Sequence, residues 1–158
     1  MTAPFPARRL RLAEHAPRPY GAMYRLETAI ELDEALRDLI SVRASQINGC
    51  AFCIDMHWQD DRARGQSEAR LYALDAWRES PFYDVRERCA LELCEAITLV
   101  SASGVPDAVW ERAATQFAPD ELAQLVFAIT VINAWNRLMI SAGTEPGHYR
   151  TSVGARAA

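Results

Sequence analysis

Two cysteines three residues apart, with a histidine four residues further on, hold the groups in this chain best suited to chemistry: Cys50-Ala51-Phe52-Cys53-Ile54-Asp55-Met56-His57. Redox chemistry runs through thiolates, and a helix N-terminus stabilises a thiolate with free N–H groups and positive potential. Asn48-Gly49 favours a turn, which puts both cysteines in the first turn of a new helix, on one face and near enough to form a disulfide after modest adjustment. His57 then lies roughly 6 Å along the helix axis from Cys53 and over ~10 Å from Cys50, so it can tune Cys53 and hardly affects Cys50. The helix dipole favours ionising Cys50, so the two cues point to different nucleophiles and spacing leaves the choice open. Asp38, twelve residues before Cys50, falls on the preceding helix. A helical hairpin would return its carboxylate to the site, where it could accept a proton through His57 or water.

Other readings of the same residues are weaker. Zinc needs four ligands, and Cys50, Cys53 and His57 supply three, with His15 and His148 near the chain ends, so no metal is expected. Cys89 and Cys94 are five apart on one helix, point to different sides and read as small buried apolar residues. Trp77, Trp110 and Trp135 read as packing residues, and Trp58, beside His57, is a weaker candidate for lining a thiol pocket. Asn133 and Arg137, one turn apart in an apolar helix, read as a structural network or an interface, because buried polar groups need partners.

The elements that must position this motif are all helical. Met23, Leu26 and Ile30 are spaced for one helix, and Leu32, Leu36, Leu39, Ile40 and Ile47 for a second that Asn48-Gly49 ends. A third runs from Cys50 to Gly65. Ser67 caps a fourth carrying Leu71, Leu74 and Trp77. Asp84 and Glu87 form a capping box for a fifth, reaching about Val100. A short helix covers Val109 to Phe117. The last starts at Pro119, with Asp120 and Glu121 in its first turn, and stops at Gly143. Its run Leu125–Ile132 could pass for a buried strand, but the length and the spacing of Leu122, Val126, Ile129, Ile132 and Trp135 favour a helix covered on several sides, in part by another subunit. The expected fold is all-α with about six or seven helices. Residues 1–18 form a flexible arm, 19–145 the helical domain and 146–158 a tail.

Composition narrows the function classes. The chain has 158 residues and a formal net charge of −4, which argues against nucleic-acid binding. All 17 basic residues are arginine, which excludes Schiff-base chemistry at a lysine. Four cysteines are too few for a secreted disulfide scaffold of this length. The N-terminus lacks the apolar run of a signal peptide, and no 18 uncharged apolar residues occur together. A cytoplasmic protein without a membrane span is therefore expected, and in a reducing compartment a Cys-x-x-Cys pair is catalytic or metal-binding more often than structural.

The run from Leu36-Arg37-Asp38-Leu39-Ile40 through Arg43-Ala44-Ser45-Gln46-Ile47-Asn48-Gly49-Cys50-Ala51-Phe52-Cys53 to His57 resembles the core of the alkyl hydroperoxidase AhpD / carboxymuconolactone decarboxylase family. Ile132-Asn133-Ala134-Trp135-Asn136-Arg137 is similar to the C-terminal helix of its small AhpD-like members, and the likeness covers roughly residues 20–145. It implies an AhpD-like helical fold, assembly as homotrimers or homohexamers, and reduction of a small peroxide in which Cys53 attacks and Cys50 resolves. No cofactor is implied; an external dithiol resets the pair, and His57 and Asp38 manage protons. Two positions depart from the family pattern: Asp38 stands where Glu is typical, and Phe52 where the best-studied members carry a second histidine. The other half of the family name, a decarboxylase or lactone-processing activity, does not rely on a Cys-x-x-Cys pair. A redox sensor or adaptor, whose disulfide alters an interface, is the non-enzymatic alternative.

Overall fold

The computed structural model describes residues 9–153. In chain order the helices are α1 (Leu12–His15), α2 (Pro17–Thr28), α3 (Glu34–Asn48), α4 (Ala51–Ala63), α5 (Glu68–Tyr72), a 3-10 turn (Ala73–Ala76), α6 (Val85–Thr98), α7 (Val100–Ser103), α8 (Asp107–Gln116) and α9 (Pro119–Ala142). Seven correspond to those expected. The other two, α1 and α7, are single turns of four residues. No strand occurs among the described residues.

Local signals set most of the ends. The Asp33 carboxylate accepts from Leu36 N–H at 2.9 Å and starts α3. Gly49, at φ 71°, ends it in the left-handed conformation that glycine adopts without a Cβ penalty. Asp84 and Glu87 form the capping box of α6, and Ser67 caps α5. The helix expected after Ser67 instead tightens into a 3-10 turn at Ala73, yet Leu71, Leu74 and Trp77 are all buried as their spacing requires.

The long helices α3 and α9 form the centre, with α4 and α6 packed on α3, and α8 closing over α6. Ile40, Leu93, Leu125 and Ile129 are fully buried there. By length and composition α9 is apolar enough to cross a membrane, but more than half of its most apolar stretch is buried inside this bundle, as a core helix requires. A smaller cluster of Leu39, Val42, Leu74, Trp77, Tyr83 and Leu91 fills the space between α3, α6 and the 3-10 turn.

The structure alters three details of the sequence reading. Regular structure begins earlier than residue 19: α1 lies within the expected arm and α2 starts at Pro17, because proline is tolerated in a first helical turn. Residues 1–8 of that arm and 154–158 of the tail lie outside the described residues. Leu26 is 41% exposed, and α2 instead turns Tyr20, Met23 and Glu27 inward, with Ile30 buried just beyond its end. Trp110 is 45% exposed, whereas its neighbour Val109 is buried.

Candidate active site

Cys50 is the N-cap of α4, and its sulfur accepts from Cys53 N–H at 3.4 Å. Cys53 is thus in the first turn, one residue short of a full turn from the cap. The two are joined as a disulfide with their Cα atoms 5.4 Å apart. Both are 1% exposed.

The elbow carrying the pair is clamped by amides. Asn48 Nδ2 donates to Asn133 Oδ1 and to Asn136 Oδ1, both at 2.9 Å. Asn136 Nδ2 donates to Ser45 Oγ at 2.9 Å, and Asn133 Nδ2 to Thr98 Oγ1 at 3.0 Å. Arg137 donates to the carbonyl of Asn133 at 2.7 Å. Asn133 and Arg137 thus belong to a structural network, and its task is to fix Asn48, Gly49 and hence Cys50 against α9.

His57 and Asp38 meet as the hairpin of α3 and α4 requires. His57 Nδ1 lies 3.3 Å from Asp38 Oδ1, and the two residues are 6% and 3% exposed. Arg64, at the end of α4, pairs with the other oxygen of Asp38 and donates through Nε to Glu34 at 3.0 Å. The arginine thus compensates the buried carboxylate. With Nδ1 turned to Asp38, Nε2 remains on the opposite edge of the ring, buried and without a hydrogen-bond partner. An imidazole donating Nδ1–H to a carboxylate presents Nε2 as a base.

Cys53 and His57 open into a cavity of about 280 Å³. From α4 it also receives Phe52 and Met56; from α9, Ile132, Trp135 and Met139; from α2, Tyr20, Tyr24 and Glu27. Tyr20 packs edge-on against Trp135, with ring centroids 5.0 Å apart. Tyr149 closes one side, its hydroxyl donating to Asp60 at 2.9 Å, with burial first and this bond second raising the phenol to about 12. Cys50 faces a different hollow of about 170 Å³, beside Gly49, Ile140 and Gly143. The two cysteines therefore line different hollows at the α4 N-terminus.

The four residues expected at the site, Cys50, Cys53, His57 and Asp38, are together. Sequence reasoning missed Arg64, Glu27, Tyr20 and Tyr149, and took Trp135 for a packing residue alone. One signal was available: Tyr20, Tyr24 and Glu27 at i, i+4 and i+7 share a helix face. Trp58 does not line the cavity; its ring carries the Arg62 guanidinium, 5.0 Å from the centroid. Cys94 is fully buried, its thiol within 3.4 Å of the Ile40 carbonyl and pushed to about 12 by burial. Cys89 is only half-buried. Neither is joined in a disulfide.

Comparison with known proteins places this arrangement. The chain is 45% identical over 114 residues to the uncharacterized protein YdfG of Bacillus subtilis, covering 72% of this chain and 78% of that one. It superposes with TM-score 0.86 and 35% identity on a protein of unknown function from Agrobacterium tumefaciens, described as a candidate antioxidant defence protein AhpD, over 89% of this chain and 99% of that one. The debrominase Bmp8 shares the fold at TM-score 0.69 and 18% identity, over 82% of this chain and 70% of that one. Residues 18–96, which hold α2, α3, the cysteine pair, His57 and most of α6, match the carboxymuconolactone decarboxylase family, and the chain belongs to that family in its AhpD-like form.

Proposed function

We propose that the protein is a thiol-dependent peroxidase that reduces small alkyl hydroperoxides through a Cys50/Cys53 dithiol–disulfide cycle. The observation that carries this reading is the placement of Cys53 and His57 in one apolar cavity, with the unpartnered Nε2 of His57 available as base. His57 takes the Cys53 proton while Asp38 holds the ring. The Cys53 thiolate attacks the peroxide and becomes a sulfenic acid, and Cys50 condenses with it to the disulfide, releasing water. An external dithiol then reduces the pair. The electrons come from thiols, so the cycle needs no bound cofactor, and it suits a reducing compartment such as the cytoplasm. The similarity to a candidate antioxidant defence protein supports the same reading. We further propose that the working form is a homotrimer or homohexamer.

The test is peroxide consumption with a dithiol donor, wild type against Cys53→Ser. Multiple turnovers in the wild type and none in the variant are expected. Oxidation that changes assembly without turnover would instead favour a redox sensor.

A further inference from the structure

The cavity holds a carboxyl group that the cysteine–histidine pair does not use. Glu27 is the carboxylate among the residues lining it, brought there by the α2 face that also presents Tyr20 and Tyr24. The charged groups acting on it are His57, Arg37 and Asp38. Burial pushes its carboxyl up, against the pull of His57 and Arg37 and of hydrogen bonding by the Trp135 side chain. The buried indole Nε1 of Trp135 acts on the Glu27 carboxyl from outside ordinary hydrogen-bond geometry. His57 Nε2 is thus an unpartnered buried polar atom on a residue that lines the same cavity as Glu27. Buried polar atoms without partners are rare in folded proteins, and one on a residue lining an apolar cavity indicates a ligand with polar atoms of its own.

Resting on the peroxidase reading, we infer that Glu27 is the general acid of the first step, protonating the oxygen that leaves as the peroxide bond breaks. The Cys53 thiolate attacks the distal oxygen of ROOH, so that the S–O bond forms and the O–O bond breaks. The sulfur is oxidised and the peroxide is reduced by two electrons. The departing RO⁻ takes the Glu27 proton and leaves as ROH. When the Cys50 thiol attacks the sulfenic acid, the S–S bond forms and its proton leaves with hydroxide as water. The proton that His57 accepted from Cys53 then returns to Glu27. His57 takes the Cys53 proton and Asp38 behind the ring holds the imidazolium, so a Glu27 acid neutralises the alkoxide without drawing on that proton. This chain has Phe52 between its cysteines, so no second imidazole stands there.

The leaving group supplies the test. An alkoxide is a poor leaving group that needs the acid, whereas the carboxylate expelled from a peroxy acid needs none. Pre-reduced protein is mixed with cumene hydroperoxide or with peracetic acid in a stopped-flow instrument, and alkylation of Cys53 by monobromobimane is followed in parallel. Glu27→Gln should lose about 100-fold with cumene hydroperoxide, the usual scale of general acid catalysis, and only a few fold with peracetic acid. Bimane alkylation should stay near wild type, which shows an intact cavity and thiolate. Glu27→Asp, which keeps an acid, should recover part of the cumene hydroperoxide rate. Equal losses with both oxidants, or no loss with either, overturn the role of Glu27 and leave the peroxidase reading standing. Wild-type protein that reduces neither oxidant removes that reading, and this role with it.

Discussion

A thiol attacking a peroxide has to lose its proton first, and Cys53 has a buried base one helical turn away. Cys50, at the helix cap, benefits from the dipole, but that effect is worth at most about 2 kcal/mol for a buried group and also reaches Cys53 in the first turn. Cys50→Ser should therefore still form a dimedone-trappable sulfenic acid at Cys53, while Cys53→Ser should lose fast reaction with peroxide. Mass spectrometry that finds the dimedone adduct on Cys50 would reverse the roles. His57→Ala should slow the first step by about 100-fold. One more acid matters at this scale. Asp61, 1% exposed with Oδ1 unpartnered, is raised to about 7, by burial first and the charge of Asp38 second. Because the folded state holds this proton more tightly than the unfolded chain, the stability it contributes is present below the ordinary Asp range and is lost as pH rises through about 7. Asp61→Asn should thus gain roughly 1–2 kcal/mol at pH 8 and nothing at pH 4 in urea unfolding.

Between elements, two polar clusters hold α3 in place. Asn136 is fully buried, donates to Ser45 and accepts from Asn48, so it ties the α3–α4 elbow to α9. Asn136→Ala leaves both partners short of a bond and should cost about 2–3 kcal/mol in chemical denaturation. On the other side of α3, Arg43 donates to Glu95 at 2.9 Å, which also accepts from Trp77 at 2.8 Å and pairs with Arg78 at 2.7 Å. Burial pushes the Glu95 carboxyl up, but hydrogen bonds from Trp77, Arg78 and Arg43 outweigh it and hold the group below the usual range. That stability is present above the ordinary Glu range and is lost as pH falls through the lower folded value. Glu95→Gln should cost about 1–2 kcal/mol at pH 7, the cost fading in acid, as thermal melts across pH would record. The capping box of α6 and the N-cap of α3 were legible in the sequence. Asn133 and Arg137 read as members of a polar network, but the partners within these two clusters were not legible, because they stand up to 91 residues apart.

At the scale of the molecule, apolar side chains remain in solvent on more than one face. Phe127 on α9 is 53% exposed, and Tyr24 and Leu26 on α2 are 59% and 41% exposed. The proposed homo-oligomer would cover surface of this kind, and light scattering at micromolar concentration should return a trimer or hexamer. A monomer under those conditions overturns the proposal, and Phe127→Asp should shift the distribution toward smaller species. Mild oxidation of the whole chain should yield only the Cys50–Cys53 disulfide. Cys94 is sealed in the core and burial raises the Cys89 thiol, so peptide mapping should recover both reduced.

The helices and the reacting pair are written in short stretches of chain: Asp33, Asp84 with Glu87, and Pro119 start helices, Gly49 and Gly143 stop them, and four residues carry Cys53 to His57. Such features depend on hydrogen bonds and periodicities spanning one or two turns, so the sequence alone determines them. Asp38 beside His57 is one step further, since it needs only the hairpin that Gly49 creates. The cavity is different in kind. Met23, Leu26 and Ile30 fit a helical stripe as well as Tyr20, Tyr24 and Glu27 do, and periodicity does not say which stripe meets the cysteines. Packing α2 against α9 decided it, placing Tyr20 on Trp135 and Glu27 beside His57. The Arg64 that pairs with Asp38, and the Tyr149 that closes the cavity, likewise arrive from distant positions. Their roles follow from which surfaces are complementary in three dimensions, and local chain geometry carries no record of that.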